Sequence, residues 1–299
     1  MKLATFRHEG KTSVGLVVDG RILDLSAAQP DLPRDMIGLL SAGEGALQAA
    51  AQAPRAPAHL HALESVVLLA PVPRPPKYLA IGFNFQAHID ELRHAVPAMR
   101  DFQPPQVPVF FCKLPTCVQG PYGHIELPKA STQLDYEVEL VVVIGKRCRH
   151  VNQADAAGVI AGYCIGNDVS VRDWQIASPT LMMGKSFDTH GPIGPWITTP
   201  DEFSPERGMG MTTHVNGELR QRGSTRELLH SIARQIEYLS TAFTLEVGDL
   251  IATGTPAGVG VLMQPPRFLK AGDVVRCEIE GLGHIENIVR PESPGRSLS

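Results

Sequence analysis

Residues 134–143 read Leu134-Asp135-Tyr136-Glu137-Val138-Glu139-Leu140-Val141-Val142-Val143. The run is rich in β-branched residues and Gly145 closes it, which predicts a strand over 136–145. Side chains two apart on a strand face the same way, so Glu137 and Glu139 project together, roughly 7 Å apart. Two carboxylates on one side of an apolar strand repel each other and lose hydration. They need solvent or a cation. Hard divalent ions take carboxylate oxygens and keep open water positions. A solvated strand face is the plainer reading of Glu-x-Glu alone.

The chain after this strand offers a third carboxylate. A second strand is predicted over 158–169, and Asp168 lies at its end beside the polar cluster Arg172-Asp173-Trp174-Gln175. Asp173 and Asp188 compete for the same role. Lys185, in Gly184-Lys185-Ser186, stands in a stretch with few charges. If buried, it needs an anionic partner; otherwise it is an ordinary loop lysine.

Upstream, Gly82-Phe83-Asn84-Phe85-Gln86-Ala87-His88-Ile89-Asp90-Glu91 predicts a helix from near Asn84 to before Pro97. His88 and Glu91 then share a face. A carboxylate can orient an imidazole so that it takes a proton from water near neutral pH. A chance helical pair is the plainer reading. The glycine and aromatic residues before the helix suggest a segment that moves as a lid. Downstream, Ala252-Thr253-Gly254-Thr255-Pro256-Ala257-Gly258-Val259-Gly260 follows a strand, and its N–H groups and hydroxyls could hold an oxyanion or a carboxylate. No Gly-Lys-Ser/Thr follows, so it is not a phosphate loop.

Further out, strands are predicted at 3–7, 14–18 and 21–25, with turns at Gly10 and Asp19-Gly20, then a helix over 34–53. The prolines of 71–76 predict a stiff extended linker. The expected division is a small N-terminal β-rich domain over 1–70, a larger domain over 76–290 and a mobile tail over 291–299. In the larger part, strands are predicted at 109–113, 193–198, 249–253, 274–280 and 285–289. A hairpin is expected over 211–222 around Asn216-Gly217, and a helix over 225–243. Strands and helices do not alternate, so the fold class is α+β and β-rich rather than a doubly wound parallel sheet.

The chain has 299 residues, a formal net charge of −4, 43% hydrophobic and 19% charged residues. This is the composition of a globular protein. The charge argues against a nucleic-acid partner, and no apolar run approaches the ~18 residues of a membrane span. The N-terminus turns charged before a signal core could form, so a cytoplasmic location is expected. Five cysteines without a Cys-x-x-Cys pattern predict reduced thiols.

Five segments in this order resemble the fumarylacetoacetate hydrolase family. They are Gly82-x-Asn84-x-x-x-His88-x-x-Glu91, Leu134-Asp135-Tyr136-Glu137-x-Glu139, Asn167-Asp168-x-x-x-Arg172-Asp173-x-Gln175, Gly184-Lys185-x-Phe187-Asp188 and Thr253-Gly254-Thr255-Pro256-x-Gly258-Val259-Gly260. The resemblance implies a mixed β-roll or sandwich, a homodimer, and Mg²⁺ or Mn²⁺ (Ca²⁺ being a third candidate) on Glu137, Glu139 and Asp168. It implies that His88 and Glu91 activate water on a lid helix. Lys185 would stabilise developing negative charge, and Arg172, Gln175 and Thr255 would contact substrate oxygens. Phe83, Phe85 and Met182-Met183 depart from the family pattern and imply a more apolar pocket.

The activity expected from this resemblance is metal-dependent hydrolysis of a carbon–carbon bond in a 1,3-diketo acid such as an acylpyruvate. Decarboxylation of a β-keto acid, or isomerisation of an unsaturated keto acid, would use the same site without an attacking water. A non-catalytic binding module is the third reading.

Overall fold

The computed structural model describes residues 1–293. Its centre is the strand Val138–Ile144, paired antiparallel with Ile160–Asn167 on one side and Leu250–Ala252 on the other. Alternate side chains enter two different cores. Leu140, Val142 and Ile144 join one cluster, while Val141 and Val143 join another. Burial on both faces is why this strand reads as an unbroken apolar run.

The large sheet runs outward from Ile160–Asn167 through Gly191–Thr198, Lys2–His8, Lys11–Val18, Arg21–Asp24 and Leu60–Ala62. On the other side, Leu250–Ala252 pairs parallel with Tyr78–Gly82, which pairs antiparallel with Val109–Lys113. A second sheet has the order Glu218–Ser224, Gly210–Val215, Val274–Ile279, Gly283–Pro291, Ile125–Leu127. Its inward residues Met211, Val275, Cys277 and Ile285 share a core with Leu140 and Val142, joined by Ile236 and Leu239 of the helix Ile232–Ala242. The fold is β-rich with mixed sheets, as the sequence predicts.

The N-terminal strands extend the large sheet: Lys2 pairs with Thr198 and Leu3 with Ile197. Leu3, Leu16 and Leu39 lie in one core with Val141 and Ile193. The helix expected over 34–53 is two helices, Met36–Ser41 and Gly43–Ala51, broken where Gly43 opens the second at φ +80°. That over 225–243 is also interrupted. Thr225–Glu227 is one short turn, and the regular helix starts at Ile232, where the Ser231 hydroxyl accepts the Arg234 N–H. Residues between them are drawn aside, because the Leu229 N–H bonds the Asn84 carbonyl and Leu228 bridges Phe85.

No helix among the described residues is long and apolar enough to cross a membrane. The segment expected as a mobile tail begins in order, since Pro291 ends a strand and the Glu292 N–H bonds the Leu127 carbonyl. Residues 294–299 lie outside the described residues.

Candidate functional site

The register Val138↔Asn167 sets the start of one strand beside the end of its neighbour. Glu137 just precedes the first strand, Asp168 just follows the second, and the Asp168 N–H bonds the Glu137 carbonyl at 2.9 Å. One oxygen from each of Glu137, Glu139 and Asp168 lies within 4.8 Å of the other two, and all three residues are buried. Of the competing carboxylates, Asp173 accepts the Ser131 hydroxyl and Asp188 lines a separate cavity with Glu126 and His190. The geometry brings Asp168, not these, to the glutamate pair.

Three buried cations bracket the cluster. Lys185 Nζ donates to Glu137 Oε2 and Asp168 Oδ2, each at 2.7 Å. Lys113 Nζ donates to Asp168 Oδ1 at 2.6 Å and also to the Lys185 carbonyl. Arg172 NH1 donates to Glu137 Oε1 at 2.7 Å. Burial alone would raise the Glu137 carboxyl, but Lys185 and Arg172 outweigh it and hold Glu137 down at about 2. Lys185 is held above its ordinary range: burial pulls it down, but Asp168 and Glu137 prevail.

Glu139 is different. Among the described residues its carboxylate has one hydrogen-bond donor, the Gly254 N–H at 2.8 Å. Burial, then the neighbouring Asp168 and Glu137 charges, push its carboxyl well above the usual range. The cluster is three hard oxygen donors, one of them without a cation in contact. That donor set fits a divalent ion.

His88 and Glu91 lie on the helix Gln86–Ala95, with His88 Nδ1 at 3.4 Å from Glu91 Oε2. The Gly258 N–H reaches both Glu91 oxygens, at 3.0 and 3.1 Å. Only glycine fits there: φ is +105°, and a Cβ would lie 2.0 Å from the Arg220 carbonyl oxygen. A protonated His88 would lower the Glu137 carboxyl, which places its charge within reach of the cluster.

The residues expected at substrate oxygens are bonded to protein. Arg172 Nε donates to Asp135 Oδ2 at 2.9 Å, and its NH1 reaches Gln175 Oε1 at the same distance. The Thr255 hydroxyl accepts Gln221 Nε2 at 2.8 Å. The Gly/Thr-rich loop does hold carboxylates, but they are the chain's own: Glu139, Glu91 and Asp135. Phe85 is fully buried in the core, so its phenyl ring shapes packing rather than a pocket wall. Phe83 has φ +58° and its ring lies 4.9 Å from that of Phe102.

Sequence reasoning missed Lys113, and it quoted Asn84 in the first matching segment without giving it a role. Lys113 ends an apolar strand as its only charge, a signal of the same kind as Lys185. Asn84 donates to the Thr253 carbonyl at 2.8 Å and accepts the His230 N–H at 2.7 Å. It ties the start of the His88 helix to the Gly/Thr-rich loop, and nothing in a single sequence marks that.

An acidic oxygen-donor cluster at the join of two strands, tied through one loop to a His–Glu pair on a helix, defines a class of site suited to a divalent ion and proton transfer. The chain belongs to the fumarylacetoacetate hydrolase family of enzymes: the family model for the fumarylacetoacetate hydrolase C-terminal region matches residues 77–290. Among curated relatives, the mitochondrial oxaloacetate tautomerase of Xenopus laevis is 39% identical over 97% of this chain and 90% of its own length. Among solved structures, the maleylpyruvate hydrolase of Sphingobium sp. SYK-6, in complex with manganese(II) and pyruvate, is 31% identical at TM-score 0.77, covering 98% of this chain and 100% of that one. The 5-carboxymethyl-2-hydroxymuconate delta-isomerase of Mycobacterium smegmatis is 33% identical at TM-score 0.77, with the same coverage.

Proposed function

We propose that this chain is a divalent-metal enzyme that forms and discharges the enol of a small 2-oxo acid. The observation that carries this is the convergence of Glu137, Glu139 and Asp168 within 4.8 Å, with the Lys185 ammonium bonded to two of them. Mg²⁺ or Mn²⁺ held by these three carboxylates would act as a Lewis acid toward the oxygens of the 2-oxo acid. Lys185 uses two of its three N–H donors on Glu137 and Asp168; among the described residues the third has no partner, which leaves it for an oxygen that gains negative charge. His88 turns Nδ1 to Glu91, which leaves Nε2 as the nitrogen that takes or returns a proton.

The first reading is keto–enol tautomerisation of a 2-oxo dicarboxylate of the oxaloacetate kind. It is supported by the 39% identity to the Xenopus tautomerase along nearly the whole chain. Here His88 carries a proton to or from the carbon next to the keto group. The second reading is hydrolysis of a carbon–carbon bond in an acylpyruvate-type 1,3-diketo acid. It is favoured by the carboxylate behind His88, the arrangement that draws a proton from water. Lys185 would then steady the enolate that leaves.

Products separate the two. The protein is incubated with Mn²⁺ and either enol-oxaloacetate or an acylpyruvate. Decay of the enol absorbance with no change in mass supports tautomerisation, and appearance of two organic acids supports hydrolysis. Absence of both reactions in a protein that binds Mn²⁺ would overturn the enol proposal.

A further inference from the structure

Four backbone N–H groups between Gly254 and Val261 point at carboxylates of this chain. Gly254 bonds Glu139 and Gly258 bonds Glu91. Gly260 bonds Asp135 Oδ1 at 2.8 Å and Val261 bonds Asp135 Oδ2 at 3.0 Å. The first two carboxylates belong to the cluster and to the His88 pair. Asp135 belongs to neither. It is fully buried, and its Oδ2 also accepts Arg172 Nε at 2.9 Å. The same guanidinium donates through NH1 to Glu137 Oε1. The loop lies flush on Asp135: a Cβ on Gly260 would come within 2.7 Å of Oδ1 and 2.3 Å of the Arg267 carbonyl oxygen.

We infer that Asp135 is a positioning residue. It joins the loop that holds Glu139 and Glu91 to the Arg172 guanidinium that holds Glu137. Two cluster carboxylates and the partner of His88 are then placed by one hydrogen-bonded unit. Groups behind metal-binding side chains set their direction, and their loss commonly weakens metal binding about 10–100-fold. The effect on ion affinity rests on the metal reading proposed above; the coupling of Arg172 to the loop does not.

Two measurements test this on the full chain. Mn²⁺ is titrated calorimetrically into metal-free wild type, Asp135→Asn, Arg172→Gln and the double variant. Asp135→Asn is expected to weaken binding about 10–100-fold. The double variant is expected to be no weaker than the worse single one, because both substitutions break one chain of bonds. Backbone hydrogen exchange of residues 254–261 is followed without metal. It is expected to speed up in Arg172→Gln, although Arg172 makes no hydrogen bond to that loop among the described residues. Unchanged loop exchange in Arg172→Gln, or losses of Mn²⁺ affinity that multiply in the double variant, would overturn the inference. If wild type binds no Mn²⁺, the metal reading falls and the exchange result alone decides. If Asp135→Asn does not fold, Arg172→Gln still decides.

Discussion

At the scale of single residues, position within the cluster sets each carboxylate's task. Glu137 is buried against two cations, and Glu139 is buried against two anions. Glu139→Gln keeps an acceptor for the Gly254 N–H while removing a repelled charge. We expect the melting temperature in chelator to stay level or rise, and Mn²⁺ affinity to fall more than ~100-fold, read by calorimetry. Stability given up for a charged site would appear there as a gain on neutralisation. His88→Ala should lower turnover about 10²–10⁴-fold with Mn²⁺ affinity nearly unchanged. Full turnover in that variant would remove His88 from the chemistry. The pairs Glu137–Glu139 and His88–Glu91 were legible from strand and helix spacing, whereas Asp168, with Asp173 and Asp188 as rivals, and Lys185 were singled out only by the family resemblance. The partners of Arg172 were not legible, since a guanidinium in sequence carries no sign of whether it faces a ligand or Asp135.

Among the elements, the strand Val138–Ile144 decides the most. Leu140 is 1% exposed between the two sheets, whereas Leu219 on the outer hairpin is 40% exposed. Leu140→Ala should cost about 2–5 kcal/mol in chemical denaturation, and Leu219→Ala well under that. Equal costs would contradict the two-core arrangement. This strand was plain in the sequence because β-branched residues buried on both faces leave a continuous apolar run. The 225–243 segment was harder. Its leucines match a helical stripe, but Leu228 and Leu229 pair with the stretch around Asn84 and Phe85, a contact from 146 positions away for the neighbouring His230. Local pattern cannot report such a partner.

For the whole molecule, the N-terminal strands and the rest share one sheet. Deleting residues 1–70 would bare the edge of Gly191–Thr198 and the core around Ile193 and Ile197. Loss of soluble folded protein on expression is the expected outcome, and a soluble 76–290 fragment with native circular dichroism would contradict it. The acid limb of stability has a named contributor in His190, which is fully buried with Nε2 donating to the Glu126 carbonyl at 2.8 Å. Burial holds its imidazole down at about 4, against 6.5 in the open chain. The unfolded chain therefore binds a proton that the folded one refuses between those values. The contribution of neutral His190 is complete above pH 6.5 and is lost as pH falls toward 4. The difference is on the order of 3 kcal/mol. His190→Gln, which retains a donor for Glu126, should flatten this part of the stability–pH curve. An identical slope in the variant would clear His190.

The fit of Gly258 against the Arg220 carbonyl bears on how this scaffold can diversify. A stretch whose amides already answer to three acids tolerates neither insertion nor side-chain growth. Side-chain change meets less resistance at exposed positions such as Ile176 and Met183, which stand 78% and 49% open to water. Variant libraries of this scaffold should leave 254–261 untouched.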